Sequence, residues 1–190
     1  PFEEGIYLKY SDFEKVLDPI DIKHKFFKEL LIMENLPKPY QIEITTLADI
    51  PSGTGLGSSG AFLVSLIKAL KAFKNKHESN ESIAKLASYI EIERLGLPVG
   101  KQDQYISALG GICEFTFHKD DSVEFNPLPI SDMNLNLLKD SLLMFYTGYK
   151  REASNILSTQ NKRTINNDKS ILDSLDSIKE MAINSRELLI

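Results

Sequence analysis

The 190-residue chain has one cysteine, three histidines and no tryptophan. With Cys113 alone, no internal disulfide can staple the fold, in keeping with a reducing compartment. His24, His77 and His118 lie far apart, without the spacing of a metal centre. A membrane helix needs about 20 apolar residues. The longest apolar stretch here, Ala61 to Ile67, is broken by Ser65 and ended by Lys68. No signal peptide is visible. Basic excess is missing too: 22 Lys and Arg against 27 Asp and Glu leave a net charge of −5, which argues against nucleic acid as the main partner. These absences point to a cytoplasmic protein with neither a membrane nor a nucleic acid as partner.

What is present suits a globular fold. Hydrophobic residues make up 42% of the chain and charged residues 26%, too apolar for wholesale disorder. The length fits one domain, or one domain and part of a second. Residue 1 is Pro, not Met, and Glu187 to Ile190 finish a helical pattern with no stop signal. An internal fragment of a longer protein is expected.

Apolar spacing over 6–36, with Phe26, Phe27, Leu30 and Leu31, predicts a helix ended by Pro37 and Pro39. Tyr40 to Thr45 alternates as a strand with one buried face. Ala61 to Lys74 is an amphipathic helix, and a second runs from Asn80, its cap, to Leu95. Ile112–Phe117 and Val123–Phe125 predict a hairpin around Asp120-Asp121. Leu142–Tyr146 reads as another strand, followed by two helices. The polar stretch near Ser131 to Asn136 is a plausible domain boundary.

The densest signal is Pro51-Ser-Gly-Thr-Gly-Leu-Gly-Ser-Ser-Gly60, where four of the ten glycines fall within eight residues. Glycines let backbone amides approach a ligand closely. The loop feeds a helix whose first N–H groups lack internal partners and carry partial positive charge, a setting that favours phosphate. Ser58 and Ser59 add hydroxyls for phosphate oxygens or Mg²⁺. A turn that merely caps a helix needs fewer glycines and serines. The loop holds no lysine, so it is not a Walker A motif. Gly55-x-Gly57-x-x-Gly60 fits the dinucleotide fingerprint literally, but six residues separate it from the strand, and the segment after Lys74 is polar and then helical.

The second dense segment is Glu91-Ile-Glu-Arg-Leu-Gly96-Leu-Pro-Val-Gly100-Lys-Gln-Asp-Gln-Tyr105. Phosphoryl transfer needs phosphate donors, Mg²⁺ ligands and a group that deprotonates the accepting hydroxyl. A phosphate loop with two separated carboxylates supplies these in principle. By itself the segment equally fits solvated glutamates and an aspartate capping the next helix. Helical periodicity does not choose between Glu91 and Glu93, which flank the apolar stripe on opposite sides.

Together the two segments resemble the GHMP family of small-molecule kinases. Pro51 to Gly60 is similar to the family's P-x-x-x-G-L-G-S-S-A motif, departing where Gly60 stands before Ala61. Gly-Lys-Gln-Asp-Gln-Tyr105, and Phe145-Tyr-Thr-Gly148-x-x-Arg151-x-Ala-Ser154, most resemble the branch that acts on heptose 7-phosphate. The resemblance implies an α+β fold. Residues 1–136 would form the N-terminal domain, a ribosomal protein S5 domain 2-like sheet with helices on one face, and 137–190 would begin a ferredoxin-like C-terminal domain. It implies that Pro51, Gly53, Gly55, Leu56, Gly57, Ser58, Ser59 and Gly60 bind ATP, that Ser59 and Glu91 hold Mg²⁺, and that Asp103 accepts the proton of the sugar hydroxyl. Lys101 as a catalytic cation and Arg151 as a substrate contact would steady anionic groups; the plain alternative is that both are surface charges. Tyr105 reads as a packing residue and Cys113 as a small buried one.

The implied activity is ATP- and Mg²⁺-dependent phosphorylation of a sugar-phosphate hydroxyl. The rivals are another sugar kinase of the family, acting on galactose, fucose or an N-acetylhexosamine, and a non-catalytic ATP and sugar sensor. The oligomeric state is not legible. The family's N-terminal substrate-binding glycine-rich stretch and C-terminal glycine-rich loop have no counterpart in the sequence, which makes a longer natural protein the expectation.

Overall fold

The computed structural model describes residues 1, 3–50, 53–146, 148 and 153–190, with 153–155 described by backbone alone. The chain opens with strands, not the expected long helix. Strands β1 (Gly5–Lys9) and β2 (Phe13–Val16) pair antiparallel, a short 3₁₀ turn covers Pro19–Asp21, and only Lys25–Glu34 forms a helix, α1. The local reason is the period. Ile6 and Leu8 are buried, while Tyr7 between them is half-buried and Lys9 after them is exposed. Helix spacing holds only for Phe26, Phe27, Leu30 and Leu31, all buried. Asp12 and Asp18 punctuate the segment: their carboxylates accept from the Phe13 amide (2.8 Å) and the Ile20 amide (3.1 Å).

Strand β3 (Gln41–Thr45) lies parallel to β1, with Ile6 opposite Ile42 and Leu8 opposite Ile44, giving the order β2-β1-β3. A parallel pair needs a crossover, which α1 supplies. Helices α2 (Ser58–Phe73) and α3 (Asn80–Tyr89) follow, then a single π turn (Ile90–Arg94) and α4 (Gln102–Leu109). The cap of α3 is Ser79, one residue earlier than expected; its hydroxyl accepts from the Ser82 amide at 3.1 Å. Strands β4 (Cys113–Phe117) and β5 (Val123–Pro127) form the expected hairpin.

Buried side chains of β1, β3 and α1 join Leu63, Ile67 and Leu70 of α2 and Ala84, Ala87 and Ala108 of α3 and α4 in one core. Lys68 of α2 donates to the Ala108 carbonyl at 3.0 Å, a cation on the negative pole of α4. Tyr105 is buried, as expected of a packing residue, but Cys113 is only half-buried, with its thiol 3.4 Å from the Gly110 carbonyl.

Helices α5 (Asp132–Asp140), α6 (Ala153–Ile165) and α7 (Lys169–Leu189) complete the chain. The strand expected over 142–146 does not form: the five side chains are 64–82% exposed, and no neighbouring strand pairs with them among the described residues. Also among the described residues, no helix is long and apolar enough to cross a membrane.

Candidate active site

The glycine-serine loop leaves the end of β3 and enters α2. Gly55 and Gly57 have φ of +76° and +70°, a left-handed backbone that side-chain-bearing residues rarely adopt. Gly57 is the N-cap of α2, and no side chain caps the first turn. The amides at the start of the helix are therefore free of a side-chain cap from Gly57, and the first turn of α2 holds no acidic residue. Pro51 lies outside the described residues. Gly53, Gly55 and Leu56 are exposed, and Gly60 is buried. Leu56 lines a groove of about 480 Å³ with Thr45, Thr46, Ser58, Ala61 and Phe62, between the exit of β3 and the flank of α2. Its size is that of a small-molecule pocket, about 300–1,000 Å³.

The π turn decides between the two glutamates. Its widened backbone, closed by the Leu95 amide on the Ile90 carbonyl at 3.0 Å, holds Glu91 buried at 1% exposure and leaves Glu93 in solvent. Ser59 donates its hydroxyl to Glu91 Oε1 at 2.6 Å, and Gln104 donates its side-chain amide to Glu91 Oε2. Among the described residues the groups bonded to this buried carboxylate are all neutral, and none of them supplies a cation to offset a charge on it. Ser59 itself is exposed and keeps free lone pairs on the loop side. Ser59 and Glu91 are thus the residues that fit a hard cation. Mg²⁺ asks for only one or two protein ligands when phosphate oxygens and water supply the rest.

Asp103 sits in the first turn of α4, directly against the loop. A Cβ on Gly57 would lie 3.3 Å from the Asp103 carboxyl carbon, and one on Gly60 only 3.0 Å from Asp103 Cβ. Its carboxylate is exposed and has no partner among the described residues. The structure therefore gathers Gly57, Ser59, Gly60, Glu91 and Asp103 at one place. Two carboxylates beside an anion-attracting turn would repel phosphate unless a cation lay near them.

Lys101 lies elsewhere in contact terms. Its ammonium donates to the carboxylate (2.9 Å) and carbonyl (3.0 Å) of Asp121 in the β4–β5 turn. Arg151 and most of the segment around it lie outside the described residues. Sequence reasoning missed Gln104. The available signal was a polar residue on the buried stripe that Tyr105 and Ala108 continue.

Residues 22–111 match the family described as GHMP kinases N terminal domain. A D-glycero-alpha-D-manno-heptose 7-phosphate kinase of Campylobacter jejuni is 34% identical over 89% of this chain and 50% of that protein. A bifunctional fucokinase/GDP-fucose pyrophosphorylase of Arabidopsis thaliana is 31% identical over 98% of this chain and 18% of that protein. The chain therefore spans half or less of the length of these curated relatives. In fold, it matches a crystal structure described as a D-glycero-D-manno-heptose 1-phosphate kinase from Bacteriodes thetaiotaomicron, with a TM-score of 0.80 and 24% identity, over 100% of this chain and 58% of that one. The glycine-serine turn and the Ser59–Glu91 pair thus lie in a segment, residues 22–111, that is a GHMP kinases N-terminal domain.

Proposed function

We propose that the full-length gene product is an ATP- and Mg²⁺-dependent sugar kinase whose acceptor is the anomeric hydroxyl of D-glycero-D-manno-heptose 7-phosphate. The observation that carries the reading is the convergence of an uncapped glycine turn, a buried glutamate with only neutral partners, and an exposed aspartate against that turn. In this reading residues 1–136 are the N-terminal domain, 137–190 begin the second domain, and the enzyme works in the cytoplasm.

Backbone amides from Gly55 to Gly60 bind the ATP phosphates, and the apolar groove beside Leu56 takes the rest of the nucleotide. Ser59 and Glu91 hold Mg²⁺, which neutralises phosphate charge when bound. Asp103 takes the proton of the sugar hydroxyl as its oxygen forms a bond to the γ-phosphorus and the bond from that phosphorus to ADP breaks. Positioning and electrostatics supply most of the rate in this chemistry, so an exposed, unpaired carboxylate at the loop is enough for the base. Arg151, and Lys101 once released from its pairing with Asp121, steady the acceptor's own phosphate.

A coupled ADP-release assay on the full-length product, over a panel of sugar phosphates and free sugars, tests the acceptor. Heptose 7-phosphate is expected to turn over fastest. A preference for free galactose or fucose would redirect the assignment to another sugar kinase, as the fucokinase relative allows. Asp103→Asn is expected to cut turnover by about 10²–10⁴-fold with nucleotide affinity unchanged. Undiminished turnover would remove Asp103 from the mechanism, and wild-type binding without any turnover would favour a sensor.

A further inference from the structure

Glu91 is held from two sides, and the two donors differ in kind. Ser59 is exposed and reaches Oε1 from the loop side. Gln104, only 2% exposed, reaches Oε2 from inside the protein, across the contact between α4 and the π turn. The orientation of the Gln104 amide is dictated by its neighbour: an ionised carboxylate accepts only, so the NH₂ end must face it. The other end, Oε1, is then buried with no hydrogen-bond partner.

That orphaned oxygen is informative. If the position served packing alone, a Leu or Met would fill it with no polar group to desolvate. A glutamine costs stability here and brings one thing in return, a donor aimed at Glu91 Oε2. The donor is also neutral. Lysine or arginine at this place would pin the carboxylate but cancel the charge that a cation needs. We infer that Gln104 is a positioning residue that fixes the Glu91 carboxylate for metal binding while leaving its full negative charge available. The inference rests on the reading of Ser59 and Glu91 as metal ligands. It adds to that reading a residue behind the ligands, of the kind whose loss lowers metal affinity by about 10–100-fold.

The test uses the full-length product in complex with a non-hydrolysable ATP analogue, with Mn²⁺ as the probe and electron paramagnetic resonance as the readout. Gln104→Met keeps the volume and removes the donor; it is expected to weaken Mn²⁺ binding about 10–100-fold. The analogue's affinity without metal should stay as in the wild type, and turnover should recover as Mg²⁺ is raised. A merely structural role would lower the melting temperature without this metal-specific split. Gln104→Asn keeps the amide but falls one methylene short of Glu91, and it supplies the same reading should the Met variant fail to fold. Wild-type Mn²⁺ affinity in a folded Gln104 variant overturns the inference. If Glu91→Gln also leaves Mn²⁺ binding unchanged, the ligand reading itself fails and takes the inference with it; loss in Glu91→Gln alone separates the two failures.

Discussion

Gly60 is the one position where the loop departs from the family motif, and the structure gives the reason. The first turn of α2 meets the backbone of α4 so closely that a Cβ at residue 60 would lie 3.0 Å from the Asp103 carbonyl carbon and 3.1 Å from the Gln104 amide nitrogen. Neighbours made of backbone yield little. Gly60→Ala would gain about 1 kcal/mol in helix propensity, against an overpacking cost of about 1–3 kcal/mol. The expected outcome is a net loss of stability in urea titration, together with slower turnover because Asp103 is pushed from the turn. Retained stability and rate would mean that α4 can shift freely. At this scale the sequence was readable where backbone chemistry is written in residue type: four glycines and two serines announce a left-handed turn that feeds a helix. Spacing did not choose between Glu91 and Glu93, because a regular helix puts them at equal angles; the family resemblance picked Glu91, and it is the π turn that buries it.

Among elements, α3 carries the segment that delivers Glu91, and its start rests on one hydroxyl. Ser79→Ala removes the acceptor for the Ser82 amide and is expected to cost about 1 kcal/mol, seen as a lower urea midpoint with an unchanged slope. No change would mean that the helix start is held by packing alone. The second helix, the third strand and the late hairpin follow directly from apolar spacing and turn residues. The opening hairpin was hidden because its period-two signal spans only four residues and is followed at once by a strong helical one. Leu142–Tyr146 shows the converse failure. Its composition is that of a buried strand, yet pairing depends on a neighbour that apolar content does not supply.

Over the whole molecule, three buried or half-buried titratable groups bind protons less readily in the folded state. His24 sits among the rings of Tyr10, Phe27 and Phe62, and burial lowers its pKa, with Lys25 adding to the effect and Glu14 opposing it. Burial alone would raise Glu14, but the Lys23 amide at 2.7 Å, the Tyr10 hydroxyl at 2.8 Å and the His24 amide at 3.1 Å outweigh it, and its pKa is lowered. Burial likewise opposes Lys74 and Lys71 at Glu34, and the two cations win. In each case the unfolded chain takes up the proton first, so acid favours unfolding. The His24 contribution is complete above its ordinary value, about 6.5, and is lost as pH falls through its lower folded value. Those of Glu14 and Glu34 are complete above 4.5 and are lost below it. Melting temperature is therefore expected to fall in two stages on acidification. His24→Phe should flatten the upper stage only; a profile unchanged by that variant would remove His24 as its source. Burial in three dimensions governs this behaviour, so none of it was legible from the order of residues.

One feature of α4 constrains how this protein can change. Consecutive residues on that helix answer to different masters: Asp103 to the solvent-side turn and Gln104 to the interior carboxylate. Successive positions on a helix are about 100° apart, so no rigid rotation of α4 improves one alignment without spoiling the other. Loop length ahead of the helix can drift, but its angular setting cannot.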